Sequence, residues 1–356
     1  MGILDGIRVV ELGGLGPSAW ACTFLADMGA DVVRIDRPGR SDIDFTDTWM
    51  RGRSHVRLDL KTSSGHAAAS SLVNAADVVV ESFRPGVAER LGLGPEFCTR
   101  RDPRLVYAQM TGWGQEGPYA HLAGHDLNYL SIAGALDTLG PRGGKPLPTL
   151  YYVGDWASGT MLLITGIIGA LYERERSGRG QVVDAAIVDG ASLMLMQVMD
   201  LRAKTGWTDA RGVNELDGGA WYYDTYETAD GRHMALGAFE PIFRQAALRT
   251  LGLACDEARV VDRTQWELIR AEVTAAFLTR TQASWIEIFA QVDACVTPVR
   301  SLAEAAAEPH LRARRTYASH DGSVQAMPAP RFSRTPSTPG ASAPAFDAAH
   351  WGIELP

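Results

Sequence analysis

Over the first 110 residues the apolar positions fall into short, dense runs separated by longer stretches of mixed polarity. IRVVEL (7–12), DVVRID (31–36), VRLDL (56–60), DVVVES (77–82) and LVYAQM (105–110) are predicted strands. Between them, a helical stretch follows GGLGPSAW and ends near Gly29, and a Ser-capped helix follows VRLDL. Apolar strands separated by helices belong to a parallel sheet covered on both faces. The pattern therefore predicts an α/β, doubly wound domain, with ligand sites at the carboxyl ends of its strands.

The texture changes after residue 120. One helix is predicted to start near His125 (GHDLNYLSIAGAL) and another at Asp155 (GDWASGTMLLITGIIGALYERERSG). The second stops at Gly178, a residue suited to a C-cap. QVVDAAI and a methionine-rich helix around Met194, Met196 and Met199 follow. From Trp207 to about Arg300 the pattern is that of a smaller α+β domain: YYDTYETADGRHMALGAF reads as a hairpin turning at Ala229-Asp230-Gly231, followed by amphipathic helices. Six of the eighteen prolines fall from Met327 onward. Proline neither continues a helix nor pairs in a central strand, so this tail is expected to be an extended strap returning to the first domain. The predicted organisation is a large domain over 1–200, a small domain over 207–305, and a linker and strap over 306–356.

Composition narrows the function. With 356 residues, 46% hydrophobic and 21% charged, the chain can bury a large core, which excludes ordinary disorder. Its 42 acidic and 34 basic side chains leave a net charge of −8. Without any Lys/Arg block, that balance argues against nucleic acid as a partner, although a local arginine cluster can still hold a small anion. Cys22, Cys98, Cys255 and Cys295 show neither paired metal-ligand spacing nor a disulfide framework, which fits a reducing cytoplasm, and no metal site is expected. MGILDGIRVVEL lacks a signal-peptide pattern. The most apolar run, 161–172, is too short for a membrane span and is expected to be a buried helix.

Two constellations carry candidate chemistry. Gly14-Leu15-Gly16-Pro17-Ser18-Ala19 matches G-x-G-x-x-A between a strand and a helix, and Asp36 ends the next strand twenty residues after Gly16. Such a turn brings a pyrophosphate to a helix N-terminus while the acid takes ribose hydroxyls, the arrangement of a nicotinamide-dependent oxidoreductase. The plainer reading is a tight strand-to-helix turn with Pro17 at the first helical position; Arg37, beside Asp36, points toward a phosphate-bearing ligand. His125 and Asp155 each follow a short glycine-containing lead into a predicted helix. Asp155 reads most simply as an N-cap and His125 as a satisfied polar residue at a helix entry. Together they permit more: two bases on opposite sides of one carbon can remove a proton from one face and return it to the other. A helix N-terminus can hold the developing oxyanion.

The stretches IRVVELGGLGP, LADMGADVVRIDRPG, VRLDLK, ESFRPGVAERLGLGP, TGWGQEGPY, AGHDLNYL, SGRGQVVDAAIVDG, LDGGA and DACVTPV resemble the family III CoA-transferase superfamily, and in particular its α-methylacyl-CoA racemase branch. The resemblance implies a Rossmann-like large domain, a smaller α+β domain and an interlocked homodimer. It implies His125 and Asp155 as the two catalytic bases, with Glu240, in GAFEP, as the acid that orients His125, and Asp126 as the enolate donor. It assigns CoA contacts to Arg37, to Leu58, Asp59, Leu60 and Lys61, to Arg84 and Arg90, and to Gly124, Leu127, Asn128 and Tyr129. Arginines suit a polyanion through forked, permanently charged contacts, although any one of them can equally be solvated surface charge. The substrate is then an acyl-CoA, inverted at its α-carbon with no separate cofactor. Met194, Met196 and Met199 are candidates for an adaptable acyl surface or for core.

The sequence also departs from the pattern it resembles. Tyr151 stands where the racemases carry an asparagine, Trp156-Ala157-Ser158-Gly159 replaces a run of glycines, Trp221 replaces a proline, and Ala19-Trp20 replaces Pro-His. Both bases remain, so the changes bear on acyl specificity. Two other functions stay open: a CoA transferase in which Asp155 attacks the acyl-CoA and forms an anhydride, a chemistry that gives His125 no role, and the oxidoreductase suggested by the Gly14 turn.

Overall fold

Side chains alternate across a strand, so consecutive valines serve opposite faces of a sheet. In the computed structural model, which describes residues 2–39, 48–253, 256–320, 323–340 and 344–354, this alternation builds two cores on one sheet. Six parallel strands, β1 (Arg8–Leu12), β2 (Asp31–Asp36), β3 (Arg53–Arg57), β4 (Val78–Glu81), β5 (Val106–Thr111) and β6 (Val182–Ala186), pair in the order β3-β2-β1-β4-β5-β6. Between β1 and β6 run α1 (Pro17–Asp27), α2 (Ser63–Asn74), α3 (Val87–Arg90), α4 (Pro95–Arg101), α5 (Asp126–Ala133) and α6 (Met161–Ser177); α7 (Ile187–Met194) follows β6. Val9, Val32, Val78, Val80, Val106 and Ala108 pack on α1 and α6 through Cys22, Leu25, Leu163 and Ile167. Val10, Val33, Val79 and Tyr107 pack on the opposite side, against Leu72 and Val73 of α2 and Cys98 of α4. The sheet is doubly wound, as its apolar runs predict.

Two local expectations are corrected. The strand expected at 56–60 lies at Arg53–Arg57. After Leu58 N–H reaches the Asp36 carbonyl (2.9 Å), Asp59 draws the chain into a turn, its carboxylate accepting from Lys61 N–H (3.1 Å) and its carbonyl from Thr62 N–H (3.0 Å). The cap of α2 is Thr62, whose hydroxyl accepts from Gly65 N–H (3.1 Å), and not a serine.

The chain divides into two compact units, one made of Met1–Ala133, Thr149–Leu195 and Arg315–Pro356, the other of Gly134–Pro148 and Met196–Arg314. Residues 134–148, expected in the large domain, thus group with the second unit, and the first resumes at Arg315. The second unit contains α8 (Met196–Lys204), β7 (Tyr223–Glu227), β8 (His233–Gly237), α9 (Pro241–Thr250), α10 (Glu257–Val261), α11 (Trp266–Phe277), α12 (Gln282–Phe289) and β9 (Val296–Pro298). β7 and β8 form the expected hairpin, β9 joins β8 antiparallel, and Trp221, Tyr226, Phe277 and Trp285 fill the core of this unit.

Back in the first unit, β10 (Tyr317–His320) and β11 (Ser323–Ala326) pair antiparallel. The strap then reaches the sheet edge: His55 N–H donates to the Pro344 carbonyl (3.0 Å) and Phe346 N–H donates to the His55 carbonyl (2.8 Å). Trp351 is buried in the α2-side core, and its indole N–H donates to Asp31 Oδ2 (2.6 Å). The apolar run at 161–172 belongs to a longer segment than expected. Tyr152–Ser177 is continuous over 26 residues, long and apolar enough by composition to cross a bilayer. Leu163, Ile164 and Ile167 on it are nonetheless part of the α1-side core. Gly178 ends it in the left-handed region, its N–H donating to the Arg174 carbonyl (2.8 Å).

Candidate active site

The carboxyl ends of β1, β4 and β5 open into a cavity of about 700 Å³, lined by residues of the Gly14–Pro17 turn and by Ser82, Arg84, Trp113, His125 and Asp155 among others. The turn after β1 owes its shape to glycine. Gly14 has φ 110°, and a Cβ there would lie 2.2 Å from Ser82 Oγ. From beneath, the fully buried Arg34 fixes the turn by donating to the Gly14 carbonyl (2.6 Å). The same guanidinium grips both oxygens of Asp36 (2.6 and 3.0 Å) and pairs with Glu11, to which Arg53 also donates (2.6 Å). Asp36, 3% exposed, is therefore a buried partner of Arg34 and does not face a ribose. The dinucleotide reading of the turn loses its acid, and the plainer one holds: Pro17 opens α1.

His125 stands immediately before α5, exposed, with its backbone N–H donating to Asn128 Oδ1 (3.1 Å) and its carbonyl accepting from Asn128 N–H (2.8 Å). Asp155 is not the N-cap its sequence position suggested. It lies in the first turn of a π-helix, Tyr152–Thr160, that runs into α6. Its N–H is satisfied by the buried carboxylate of Asp126, which accepts at 2.8 Å. Gly154 makes that approach possible, since a Cβ there would lie 2.3 Å from Asp126 Oδ1. Asp126 thus ties the start of α5 to the π-helical turn through its side chain, a role its sequence position did not reveal, while its own backbone N–H remains in the first turn of α5.

Burial, reinforced by the charge of Asp126 and opposed by that of His125, raises the Asp155 carboxyl from its ordinary value to about 6. Tyr129 joins this field: burial and the Asp155 charge push its phenol up to about 12 against the pull of Arg84. Its hydroxyl donates to the Gly124 carbonyl, and its ring packs edge-on to Trp113 with centroids 4.7 Å apart. Trp113, in the TGWGQEGPY stretch, had no role assigned from sequence; the motif was visible but its placement in the cavity wall against Tyr129 was not.

Of the residues expected to contact CoA, Arg84, Gly124 and Tyr129 line the cavity. Arg37 follows β2, Leu58, Asp59, Leu60 and Lys61 follow β3, and Arg90 ends α3; all lie outside its wall, Leu58 and Leu60 packed against the α2-side core. Leu127 and Asn128 are exposed on α5. Glu240 is exposed at the N-cap of α9 in the second unit. Among the departures, Trp20 lines the cavity and contacts Tyr151 and Trp156. Trp221 instead is core of the second unit, so its bulk serves packing there. Met194, Met196 and Met199 are exposed and not core. Among the described residues no cluster of three or more His, Cys, Asp or Glu side chains is arranged to hold a metal ion.

A doubly wound sheet with a histidine and a half-buried aspartate in one cleft at its carboxyl end is the architecture of an α/β protein that takes a small molecule there. The chain belongs to CoA-transferase family III, whose sequence profile matches residues 4–350. It is 42% identical over 339 residues to the alpha-methylacyl-CoA racemase of Homo sapiens, covering 94% of this chain and 88% of that protein. Similarity to the acetyl-CoA:oxalate CoA-transferase of Acetobacter aceti is lower, 29% over 339 residues, covering 90% and 87%. The fold matches the crystal structure of a CAIB/BAIF family protein from Brucella suis with TM-score 0.80 and 25% identity, over 97% of this chain and 96% of that one.

Proposed function

We propose that the protein is a racemase or epimerase that inverts the α-carbon of 2-methylacyl-CoA thioesters by two-base proton transfer. The observation that carries this reading is the presence of His125 and Asp155 in one cavity, with His125 close enough for its charge to act on the Asp155 carboxyl. With the α-carbon between them, one base takes the α-proton and the C–H electron pair moves into the thioester, making an enolate oxygen. The N–H of Asp126, in the first turn of α5, holds that oxygen, and the opposite base delivers a proton to the other face. An Asp155 carboxyl raised to about 6 suits both duties: it is a stronger base than an ordinary aspartate and stays protonatable near neutrality. His125 acts as imidazole in one direction and imidazolium in the other.

Arg37, Arg84 and Arg90, with Leu58, Asp59, Leu60 and Lys61, bind the CoA moiety in this scheme. Gly124, Leu127, Asn128 and Tyr129 border its path to the bases. No metal or redox cofactor takes part. The functional form is an interlocked homodimer in which Glu240 of the partner subunit orients His125. We place the enzyme in the cytoplasm, in keeping with the free thiols of Cys22, Cys98 and Cys295.

Incubating the enzyme with single enantiomers of a 2-methylacyl-CoA in D2O, followed by mass spectrometry and chiral analysis, tests the reading. Deuterium enters the α-position with inversion, and folded His125→Ala and Asp155→Ala variants each lose inversion. Absence of α-deuterium across a broad acyl panel, or full activity in either variant, refutes the two-base scheme. Acyl transfer to a free acid through Asp155 would instead establish the transferase alternative, which the lower similarity to a CoA-transferase favours less.

A further inference from the structure

We propose that Trp20 sets the acyl size limit of this site, as a fixed indole wall that admits short, compact acyl groups beside Asp155 and excludes long ones. The inference deepens the racemase reading and rests on it. Trp20 is on α1, one helical turn beyond Gly16, and its side chain lines the cavity that holds His125 and Asp155. Its ring contacts two others, with centroid separations of 5.1 Å to Tyr151 and 5.0 Å to Trp156. Trp156 is braced in turn by Phe24 at 5.6 Å.

Tyr151 and Trp156 bracket the π-helical turn that carries Asp155, so the wall and the base are built on the same backbone. The sequence departs from the resembled pattern at Trp20, Tyr151 and Trp156, and the fold brings the three together. Tilted and edge-to-face ring contacts favour defined placements. An indole clasped in this way cannot turn aside without giving up both contacts, unlike a methionine, which repacks around whatever occupies its neighbourhood. A wall of that kind discriminates by acyl size near the reacting carbon.

The test compares wild type, Trp20→Ala, Trp20→Phe and Trp156→Ala on 2-methylbutanoyl-CoA and 2-methyldodecanoyl-CoA, reading α-deuterium uptake as kcat/KM. The long-to-short ratio rises about tenfold or more in Trp20→Ala, as expected when a pocket wall is removed. It rises less, in the same direction, in Trp156→Ala, where the indole stays but loses one clasp, and it stays near wild type in Trp20→Phe. An unchanged ratio in folded Trp20→Ala overturns the proposal; if that variant does not fold, an unchanged ratio in Trp156→Ala does so. Failure of the racemase reading is separate: wild type then takes up no deuterium from either thioester. The size limit is in that case decided by calorimetric binding of the same two thioesters, with an unmoved Kd ratio in Trp20→Ala against it.

Discussion

Asp155 is a carboxylate whose surroundings work against its charge, and both activity and stability should register that. In the direction that starts with Asp155 ionised, kcat/KM is expected to fall as pH drops through about 6; in the opposite direction, which starts with it protonated, kcat/KM falls as pH rises through the same value. Replacing Asp126 by Asn removes the second largest cause of the upward shift while leaving an oxygen to accept Asp155 N–H. The acid limb of the first direction should then move to lower pH. A carboxyl raised by folding favours the native state while protonated, and this contribution is lost as pH rises through its folded value. Asp155→Asn should therefore raise Tm over wild type more at pH 8 than at pH 4, as thermal melts at the two pH values will show. Residue types and order were enough to nominate His125 and Asp155, because both stand at predicted helix starts. The hold of Asp126 on Asp155 was not legible, since it joins residues 29 apart through a side chain that reads equally well as a surface acid.

The π-helix at Tyr152–Thr160 is the element that turns a sequence position into a site. Its wider winding shows in the hydrogen bond from Trp156 N–H to the Tyr151 carbonyl (3.0 Å). Such turns are rare and are enriched at functional sites. Its close approach to Asp126 depends on Gly154, so Gly154→Ala is expected to destabilise the protein by about 1–3 kcal/mol, the usual range when a buried polar pairing is broken, and to lower racemisation at least tenfold. Gly169, on α6 with open space around its Cβ position, is the control: Gly169→Ala should stabilise by up to about 1 kcal/mol. Urea unfolding of both variants distinguishes the two outcomes. Apolar runs located five of the six parallel strands to within a few residues, because burial on both faces leaves a strong signature. They could not separate a π-turn from an α-helix start, since one widened turn changes the hydrophobic period too little to read.

At the scale of the whole molecule, the β7–β8 hairpin around Asp230 and the extended proline-rich tail were legible where composition shifts. Residues 134–148 carry no such shift, and only tertiary contacts assign them to the second unit. For the proposed dimer, sedimentation velocity with activity assayed across the peak should find racemisation in the dimeric species alone, and Glu240→Gln should lower kcat while leaving the dimer intact. Removing the buried indole of the strap, Trp351→Ala, is expected to cost about 3–5 kcal/mol, in line with large-to-small core changes, read as a lower urea midpoint. The bond from that indole to Asp31 spans 320 residues of sequence. The strap also covers β3, an edge that would otherwise offer unpaired backbone groups to other chains. During synthesis, Asp31 and His55 leave the ribosome long before their partners exist, whereas the β7–β8 hairpin closes locally. The core of the unit that holds His125 and Asp155 can therefore be completed only after the strap has been made, and its nascent sheet edge stands open to aggregation or to a chaperone until residues 344–346 have been made.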